Sequence, residues 1–419
     1  MTRVIVIGCG LAGITTAYYL NEQGVDVTVL ERAEAPARET SFANGSLMAP
    51  SSADPWNAPG VLFDLMKALG RDDSAMMVRA GVLPSMVGWG LRFLRNSTLA
   101  RYQASYLDNV GLSQYSQSVM QRLLQVHPLE FEYAPDGTVS VCRTEAALTK
   151  GRQIANWLKQ VGITHEELDR DGLLELEPAL APAIENFVGG IRYPQDEVGN
   201  ARLFCLALKQ VAEDAGVVFR FSEQVLGVER RRGTIQSVIT PREKLGADCF
   251  VLAAGSYSWP VGRRLKVHIP VRPAKGYSLT VPVRNIEPAP RYAIIDEALH
   301  AAIVPLGKGK LRIAGTAEFT GFDKSLPEAR LSNLKRLLTE VYPQIPVNES
   351  SMQPWCGLRP MTPDGRPLLG STRLSNLFVN TGHGPLGWTM ACGSGKAVAD
   401  VVLGNDPEID LAPFSMARF

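Results

Sequence analysis

The sequence predicts an α/β protein with a Rossmann-like domain and a second domain built on a mixed or antiparallel β-sheet with helices. Three observations support this prediction. A complete βαβ unit occupies the first 31 residues. Two later strands run into glycine-containing turns near Gly255 and Gly382, as expected of a split nucleotide-binding domain. Between them, residues 263–320 alternate short apolar runs with turns, which is typical of a separate sheet.

The βαβ unit is defined by the pattern of apolar residues. Arg3–Ile7 is a short β-branched run that predicts a buried strand. Ile14–Gln23 predicts a helix, which Gly24 ends, and Val25–Leu30 predicts a second buried strand.

Three glycines and one acid give this unit a dinucleotide-binding fingerprint. Gly8 permits a tight turn, Gly10 lets a pyrophosphate approach the backbone, and Gly13 lets the helix pack closely on the strand. Glu31 follows the second strand, where it can accept hydrogen bonds from a ribose diol and disfavours a 2′-phosphate. The alternative is an ordinary βαβ unit whose glycines serve packing alone.

The next segment is polar and rich in small residues. Residues 32–40 predict a loop, and Ser41–Pro50 contains Gly45, which permits close approach of another group to the backbone. Two interpretations remain open: a second segment that contacts the phosphate and ring of a bound dinucleotide, or a plain surface loop.

Composition indicates an ordinary globular protein. The chain has 419 residues, which predicts two to three domains, with 45% hydrophobic and 20% charged residues. The net charge of +1 gives no reason to expect a nucleic-acid partner. No apolar run is long enough for a transmembrane helix, and the N-terminus lacks a signal-peptide pattern.

Cysteine spacing favours a reducing, cytoplasmic environment. The six cysteines are scattered without a C-x-x-C pair, so neither a disulfide framework nor a metal site is expected. They are Cys9, Cys142, Cys205, Cys249, Cys356 and Cys392.

Residues 61–127 predict helices. Phe63–Leu69 gives one amphipathic piece, Val82–Leu94 is apolar but broken by proline and glycine, and Leu107–Val126 carries a helical stripe. The middle piece has two interpretations, a patch that touches a membrane surface or a helix packed on its own domain. The patch would comprise Trp89, Leu91, Phe93 and Leu94 with Arg92 and Arg95.

The central part mixes strands and helices. Glu130–Tyr133 and Thr138–Cys142 predict strands, Thr144–Val161 predicts a helix, and a further helix starts at Asn200 and ends at Gly216. Strands are then predicted at Val217–Phe221, Gln224–Glu229, Thr234–Ile239 and Asp248–Gly255, and for the second sheet at Val267–Val271, Tyr277–Val283, Tyr292–Asp296, Ala301–Pro305 and Leu311–Ala317.

The last 94 residues return to the nucleotide-binding pattern. Leu326–Val341 predicts a helix, and Trp355–Pro367 predicts a loop with an arginine at its centre. Leu377–Asn380 predicts a short buried strand, followed by a glycine-rich turn and a small-residue helix over Ala391–Leu403.

Six blocks of the sequence resemble the flavin-dependent D-amino acid dehydrogenases of the small-subunit type, within the superfamily that includes D-amino acid oxidase, glycine oxidase and sarcosine oxidase. The resemblance extends over nearly the whole chain. The blocks are Val4–Gly13, Glu39–Gly45, Pro55–Gly60, Lys275–Leu279, Gly357–Gly365 and Asn380–Gly395.

This resemblance implies FAD rather than NAD and a discontinuous FAD-binding domain of residues 1–60, 196–262 and 350–419. Residues 61–195 and 263–349 then form the substrate-binding domain. The implied FAD-binding residues are Gly8, Gly10, Leu11, Ala12, Gly13, Glu31, Arg32, Thr40, Ser41, Asn44, Gly45, Leu47, Val225, Ala254, Gly255, Gly382, Gly384, Leu386, Gly387, Trp388 and Thr389.

Three side chains are candidates for contact with substrate or flavin. Arg359 matches the carboxylate-binding arginine of the family, and a fork of arginine donors suits a carboxylate. Tyr277 is either a neutral donor to the substrate or a packed core tyrosine. His383 touches the flavin, lines the pocket or braces the turn. Cys356 lies about one residue out of step with the cysteine that attaches flavin in some relatives, so covalent attachment is not expected.

The resemblance implies oxidation of a D-amino acid, with D-proline or a hydroxyproline among the candidates, by hydride transfer to flavin N5. The product would be a 2-oxo acid, and no general base is needed if the amine arrives neutral. Electrons would pass to a quinone-type acceptor, with the cytoplasmic protein in peripheral contact with the inner membrane. The alternatives are an oxidase acting on glycine, sarcosine or another amine with O₂, a structural flavin-binding subunit, and an NAD dehydrogenase.

Overall fold

The structure is a computed structural model that describes residues 2–61, 63, 76–283, 286–307 and 309–419. Its helices are α1 (Leu11–Glu22), α2 (Leu83–Arg95), α3 (Leu99–Val126), α4 (Glu145–Lys159), α5 (Arg170–Leu176), α6 (Ala201–Asp214), α7 (Ser258–Arg264), α8 (Glu328–Val341) and α9 (Ala391–Leu403). Its strands are β1 (Arg3–Ile7), β2 (Asp26–Leu30), β3 (Leu47–Met48), β4 (Met76–Val78), β5 (Thr138–Cys142), β6 (Glu166–Asp169), β7 (Gly189–Tyr193), β8 (Glu197–Val198), β9 (Val218–Arg220), β10 (Gly227–Arg231), β11 (Thr234–Ile239), β12 (Lys244–Gly246), β13 (Cys249–Leu252), β14 (Arg272–Pro282), β15 (Ala293–Asp296), β16 (Ala301–Leu306), β17 (Lys310–Phe319), β18 (Gln353–Met361), β19 (Leu368–Ser371) and β20 (Leu377–Thr381).

One sheet has six strands in the order β19-β20-β13-β1-β2-β9. All neighbours are parallel except β19, which runs antiparallel to β20. Helix α1 packs against α6 and α9 over one face, while the three-stranded sheet β10-β11-β12 covers the other face through Ile235 and Val238. This is the predicted Rossmann-like layer, and its strands come from both ends and the middle of the chain.

A second sheet follows the order β18-β14-β17-β16-β15-β5-β7-β6, with β4 paired to β17. It is mixed, because β5 pairs with β15, and β4 with β17, in parallel, whereas the other pairs are antiparallel. Helix α8 covers one face through Leu334, Leu337 and Leu338. The mixed second sheet therefore agrees with the predicted fold class.

Strand β18 corrects one prediction from the sequence. The loop predicted over Trp355–Pro367 is wrong in its first half, because Gln353–Met361 is a strand that pairs with β14. Pro354 and Pro360 favoured a loop in the sequence analysis. However, β18 is an edge strand, where proline is tolerated. The predicted segment boundary at residue 350 also placed this strand with the FAD-binding segments, whereas it belongs to the second sheet.

Two other predicted strands are absent from the described chain. Neither Glu130–Tyr133 nor Val267–Val271 forms a strand. The alternating apolar side chains Val267, Ile269 and Val271 are instead buried against the Rossmann-like sheet. The alternation of apolar residues in this segment therefore reflects burial of its side chains and not membership of a β-sheet.

Helix α2 is continuous, which differs from the predicted broken piece. Pro84 sits in its first turn, where a missing N–H costs nothing. Trp89 and Phe93, two members of the predicted surface patch, are buried and stacked with ring centroids 5.2 Å apart. The patch as predicted is therefore wrong for these two side chains. Of the amphipathic piece Phe63–Leu69, all but Phe63 lies outside the described residues.

Candidate active site

A cavity of about 1160 Å³ separates the two sheets. Its wall includes residues at the carboxyl ends of β1, β2, β13 and β20, the edge where ligands bind in open α/β sheets. On the opposite side, small residues of β16 and β17, among them Ala302, Ala314 and Gly315, leave the interior open.

The three glycines of the dinucleotide-binding fingerprint have different structural roles. Gly8 has φ +112°, and a Cβ there would lie 2.5 Å from the Ala253 carbonyl oxygen. A Cβ on Gly13 would lie 1.9 Å from the Gly8 carbonyl oxygen, so both glycines serve close packing. A Cβ on Gly10 would meet only the Ser41 hydroxyl, at 3.2 Å, and Gly10 lines the cavity. Close packing therefore explains two of the glycines, and access to the cavity explains the third.

Glu31 presents a half-buried carboxylate to the cavity beside these glycines. Its Oε2 accepts from the Cys9 N–H and its Oε1 from the Ala33 N–H, each at 2.8 Å. Burial raises the pKa of Glu31 in spite of these hydrogen bonds. Each oxygen keeps accepting capacity, so the carboxylate can also accept from hydroxyl groups in the cavity.

Most of the predicted FAD-binding residues line the cavity. Those on its wall are Gly8, Gly10, Leu11, Ala12, Glu31, Arg32, Thr40, Ser41, Asn44, Gly45, Leu47, Val225, Ala254, Gly255, Gly384, Gly387 and Trp388. Gly13, Gly382, Leu386 and Thr389 lie behind it. Leu386 is in the core, and the Thr389 hydroxyl accepts from the Ala49 N–H at 3.3 Å, so these four support the wall from behind.

Arg359 is a cation without a counterion. Its Nη1 donates to the Thr316 carbonyl at 2.8 Å, and no carboxylate lies within 4 Å of it among the described residues. Burial lowers its pKa to about 10, so the guanidinium stays charged at neutral pH. Its other donors are free to bind a ligand, and the guanidinium faces the Trp56 ring at 5.3 Å.

Two residues that hold Arg359 were missed by the sequence analysis. Gly276, on the neighbouring strand β14, lies beneath the guanidinium, and a Cβ there would come within 2.1 Å of Nη1. Thr316 has φ +55°, a strained value for a β-branched residue, and supplies the accepting carbonyl. The Lys275–Leu279 block contained Gly276, but the sequence carried no signal for Thr316.

Tyr277 and Cys356 face away from this arginine. They are paired across β14 and β18, and both pack in the core beneath α8. The Tyr277 hydroxyl donates to Glu318 at 2.5 Å, and burial with this carboxylate raises its pKa well above 10. Tyr277 is also among the residues that line the cavity, but it is only 1% exposed and its hydroxyl is bound to Glu318, so its contacts favour the packed core tyrosine over a donor to substrate. Cys356 is absent from the cavity wall, which agrees with no covalent attachment.

His383 both lines the cavity and braces the turn before α9. Its Nε2 lies 3.1 Å from the Ser394 hydroxyl of α9. Burial lowers its pKa to about 4, so the imidazole is neutral at pH 7. A neutral ring can donate or accept a hydrogen bond at the wall without adding a charge.

The described chain holds neither a membrane-spanning helix nor a metal cluster. None of its helices is both long and apolar enough to cross a bilayer. Among the same residues, no three His, Cys, Asp or Glu side chains are grouped so that they could hold a metal ion.

The comparisons with known proteins agree over the full length. The DAO family model, described as FAD dependent oxidoreductase, matches residues 3–401. D-amino acid dehydrogenase 1 of Mesorhizobium japonicum is 40% identical over 418 residues, covering 100% of this chain and 99% of the relative. The D-amino acid dehydrogenase of Agrobacterium fabrum is 40% identical over 417 residues, with 100% and 99% coverage.

Solved structures share the fold at low sequence identity. Glycine oxidase from Geobacillus kaustophilus has a TM-score of 0.79 and 22% identity and covers 100% of both chains. L-proline dehydrogenase from P. horikoshii has a TM-score of 0.78 and 16% identity, covering 100% of this chain and 97% of that one.

The residues that line the cavity fit FAD. The open space at Gly10, the half-buried Glu31 carboxylate and a cavity reaching from them to Arg359 provide for a dinucleotide and a neighbouring acid substrate. The family match and this geometry confirm the resemblance and the expectation of FAD: the chain belongs to the DAO family of FAD-dependent oxidoreductases.

Proposed function

We propose that this protein is an FAD-dependent D-amino acid dehydrogenase. It oxidises a D-amino acid at Cα to the imine, and water converts the imine to a 2-oxo acid and ammonia. The observation that carries this proposal is the unpaired guanidinium of Arg359 on the cavity wall, a site for a substrate carboxylate. The D configuration is inferred from the full-length relatives named D-amino acid dehydrogenase.

The chain supplies position and electrostatics. When bound, FAD supplies the acceptor for the two electrons that leave the Cα–N unit. Residues around Gly10, Glu31 and Gly45 would hold the cofactor. Arg359 binds the substrate carboxylate, which fixes the orientation of Cα. The neutral ring of His383 adds no positive charge beside the site, so the wall does not disfavour a substrate cation there.

Anaerobic flavin reduction tests this function. The purified holoenzyme is mixed with D- and L-forms of several amino acids, glycine and sarcosine, and the visible flavin absorbance is followed. Bleaching by D-amino acids and not by their L-forms is expected. Bleaching by glycine or sarcosine alone would contradict the proposal and favour an amine oxidase.

We further propose that the electron acceptor is a quinone and that the protein contacts a membrane surface peripherally. Support comes from α2, where Leu83, Val87 and Leu91 are 50–66% exposed at intervals of four residues, forming one apolar stripe. Residues 79–107 contain four arginines and no acidic residue, which suits an anionic lipid surface.

Vesicle cosedimentation and reoxidation test this second proposal. The holoenzyme should bind vesicles rich in phosphatidylglycerol and not pure phosphatidylcholine vesicles. Leu91→Asp should weaken binding, whereas Leu226→Asp, at an exposed leucine far along the chain, serves as the matched control. Reduced enzyme should be reoxidised faster by a soluble quinone than by air; equal vesicle binding by both variants, or faster reoxidation by air, would contradict it.

A further inference from the structure

A β-bulge in β17 lies beside the guanidinium of Arg359. Two residues of β17, Thr316 and Ala317, lie opposite the single residue Gly276 of β14, and the register of the two strands shifts there. The Thr316 carbonyl accepts from Nη1 of Arg359 at 2.8 Å. Bulges of this kind redirect individual groups and occur next to active sites. The bulge therefore determines the position of the carbonyl that orients Arg359.

The backbone at this bulge is strained. Thr316 has φ +55°, a costly value for a β-branched residue that persists only where surrounding groups hold it. The pairing of β17 with β16 ends at Gly315, and from Ala317 to Phe319 the strand pairs with β4 instead. The bulge thus lies where β17 changes its neighbour, and side-chain contacts of the residues that follow can fix it.

Glu318, two residues beyond Thr316, is 1% exposed and is held by three side chains. Its Oε2 accepts from the Tyr277 hydroxyl at 2.5 Å, and its Oε1 accepts from Nε of Arg79 at 2.6 Å. Nζ of Lys275 lies 3.7 Å from Oε2. Burial raises the pKa of Glu318, but these hydrogen bonds and positive charges outweigh burial and bring the pKa below its usual value. The ionised carboxylate therefore ties this residue of β17 to β14 and to the end of β4.

The residue between Thr316 and Glu318 is held as well. The Ala317 carbonyl accepts from Nη2 of Arg330, a fully buried side chain of α8, at 3.3 Å. Three successive residues of β17 thus each bind an arginine, and Arg359 is the one of these arginines that lines the cavity. Glu318 is absent from the cavity wall, so any effect that it has on a bound ligand must act through the bulge.

We propose that Glu318 is a positioning residue for substrate binding, because its buried carboxylate fixes the bulge that presents the Thr316 carbonyl to Arg359. This inference rests on the proposed function, in which Arg359 binds the substrate carboxylate. Without the Glu318 carboxylate, Thr316 can leave its strained conformation, its carbonyl turns away, and the guanidinium loses its orientation. Loss of the Tyr277 hydroxyl alone leaves two cations beside the carboxylate, so it should not release the bulge.

Ligand binding measures this effect without turnover. Propionate, a carboxylate without an amine, is titrated into the holoenzyme, and its dissociation constant is obtained from the change in the flavin spectrum. Glu318→Ala should raise this constant, and KM for D-alanine, about tenfold or more, as expected for a misplaced charged hydrogen bond. Glu318→Gln should raise both about threefold or more, because the amide keeps an accepting oxygen but lacks the charge. FAD content should equal that of the wild type in both variants.

Thr138→Val is the matched control. The Thr138 hydroxyl donates to the buried carboxylate of Asp196 at 2.7 Å, so this variant also removes a hydrogen bond to a buried carboxylate. Thr138 lies on β5, which β15 and β16 separate from β17. The variant should lower the free energy of unfolding in urea but leave the propionate dissociation constant and KM within about twofold. Similar increases in KM in the control and in Glu318→Gln would show general destabilisation and overturn the inference.

Combination with Arg359→Ala separates positioning from an independent effect. If Glu318 acts through Arg359, either Glu318 variant should raise KM less than about twofold further in the Arg359→Ala protein. The same fold-increase in both backgrounds would overturn the inference, as would wild-type ligand binding by Glu318→Ala with its FAD bound. The proposed function stands in these cases if D-amino acids bleach the wild-type flavin.

The two proposals can also fail separately in the other direction. If no D-amino acid bleaches the wild-type flavin, the proposed function fails, and propionate binding by the wild type and the Glu318 variants still decides the positioning role. A wild-type holoenzyme that does not bind propionate would overturn the positioning role together with the carboxylate site at Arg359.

Discussion

The guanidinium of Arg359 lies directly over Gly276, in the space that a side chain at position 276 would occupy. A Cβ built on Gly276 would come within 2.1 Å of Nη1 and 2.6 Å of Nη2. The absence of a side chain on β14 is therefore what allows an arginine on β18 to reach the cavity and the Thr316 carbonyl.

Gly276→Ala should displace this guanidinium while β14 keeps its backbone. We expect KM for the amino acid substrate to rise about tenfold or more, because a charged hydrogen bond is lost or bent. FAD content, measured by absorbance, should stay the same. Gly88→Ala, at an α2 position where nothing lies within 4 Å of the added Cβ, is the control. An unchanged KM in Gly276→Ala would show that the arginine is not needed where the structure places it.

Arg359→Ala should raise KM about 100-fold or more, since two charge-assisted hydrogen bonds to a carboxylate contribute about 1.5–3 kcal/mol each. Arg359→Lys should recover part of the loss, because it restores the charge without the fork of donors. Steady-state kinetics on protein with full FAD content make the comparison. A wild-type KM in Arg359→Ala would remove this residue from the site.

Gly10→Val should abolish FAD binding. The added side chain would project towards the cavity, where Gly10 now meets only the Ser41 hydroxyl. The fold should survive, so the variant should be colourless with a far-UV circular dichroism spectrum like the wild type. Gly111→Ala in α3, where the added Cβ also meets nothing within 4 Å, is the control. A fully yellow Gly10→Val protein would contradict this placement of the cofactor.

Tyr277→Phe should affect stability more than catalysis. The variant leaves the Glu318 carboxylate without its hydroxyl donor, which costs about 1–3 kcal/mol for a buried acceptor. Urea unfolding measures this loss. KM should change less than twofold by this interpretation; a KM increase of about tenfold, or about 1.4 kcal/mol, would restore Tyr277 as a substrate donor.

His383 should make stability depend on pH in acid. Its pKa is about 4 in the fold against an ordinary value of 6.5, so the unfolded chain takes up a proton first. The contribution is fully present above pH 6.5 and is lost as the pH falls towards 4, at most about 3 kcal/mol. The free energy of unfolding in urea, measured for the wild type and for His383→Asn between pH 7 and pH 4, isolates the contribution of His383. If both lose stability in parallel, His383 does not titrate as inferred.

The sequence alone predicted those elements whose structure depends on residues close together in the chain. Arg3–Ile7 is the strand predicted, and Asn200 caps α6 through its side chain, as expected for the start of a helix. The order of strand, glycines, helix, strand and acid indicated a dinucleotide site, because each feature acts within a few residues of its neighbours. The resemblance to a family then supplied FAD, which the family match confirms.

Tertiary structure decided what depends on contacts between distant segments. Pro354 and Pro360 suggested a loop, but an edge position lets a strand contain them. Only the pairing of β14 with β18 sets Arg359 over Gly276 and turns Tyr277 towards α8. Local sequence determines backbone preference and apolar pattern, whereas the partner of a charge is set by the packing of segments hundreds of residues apart.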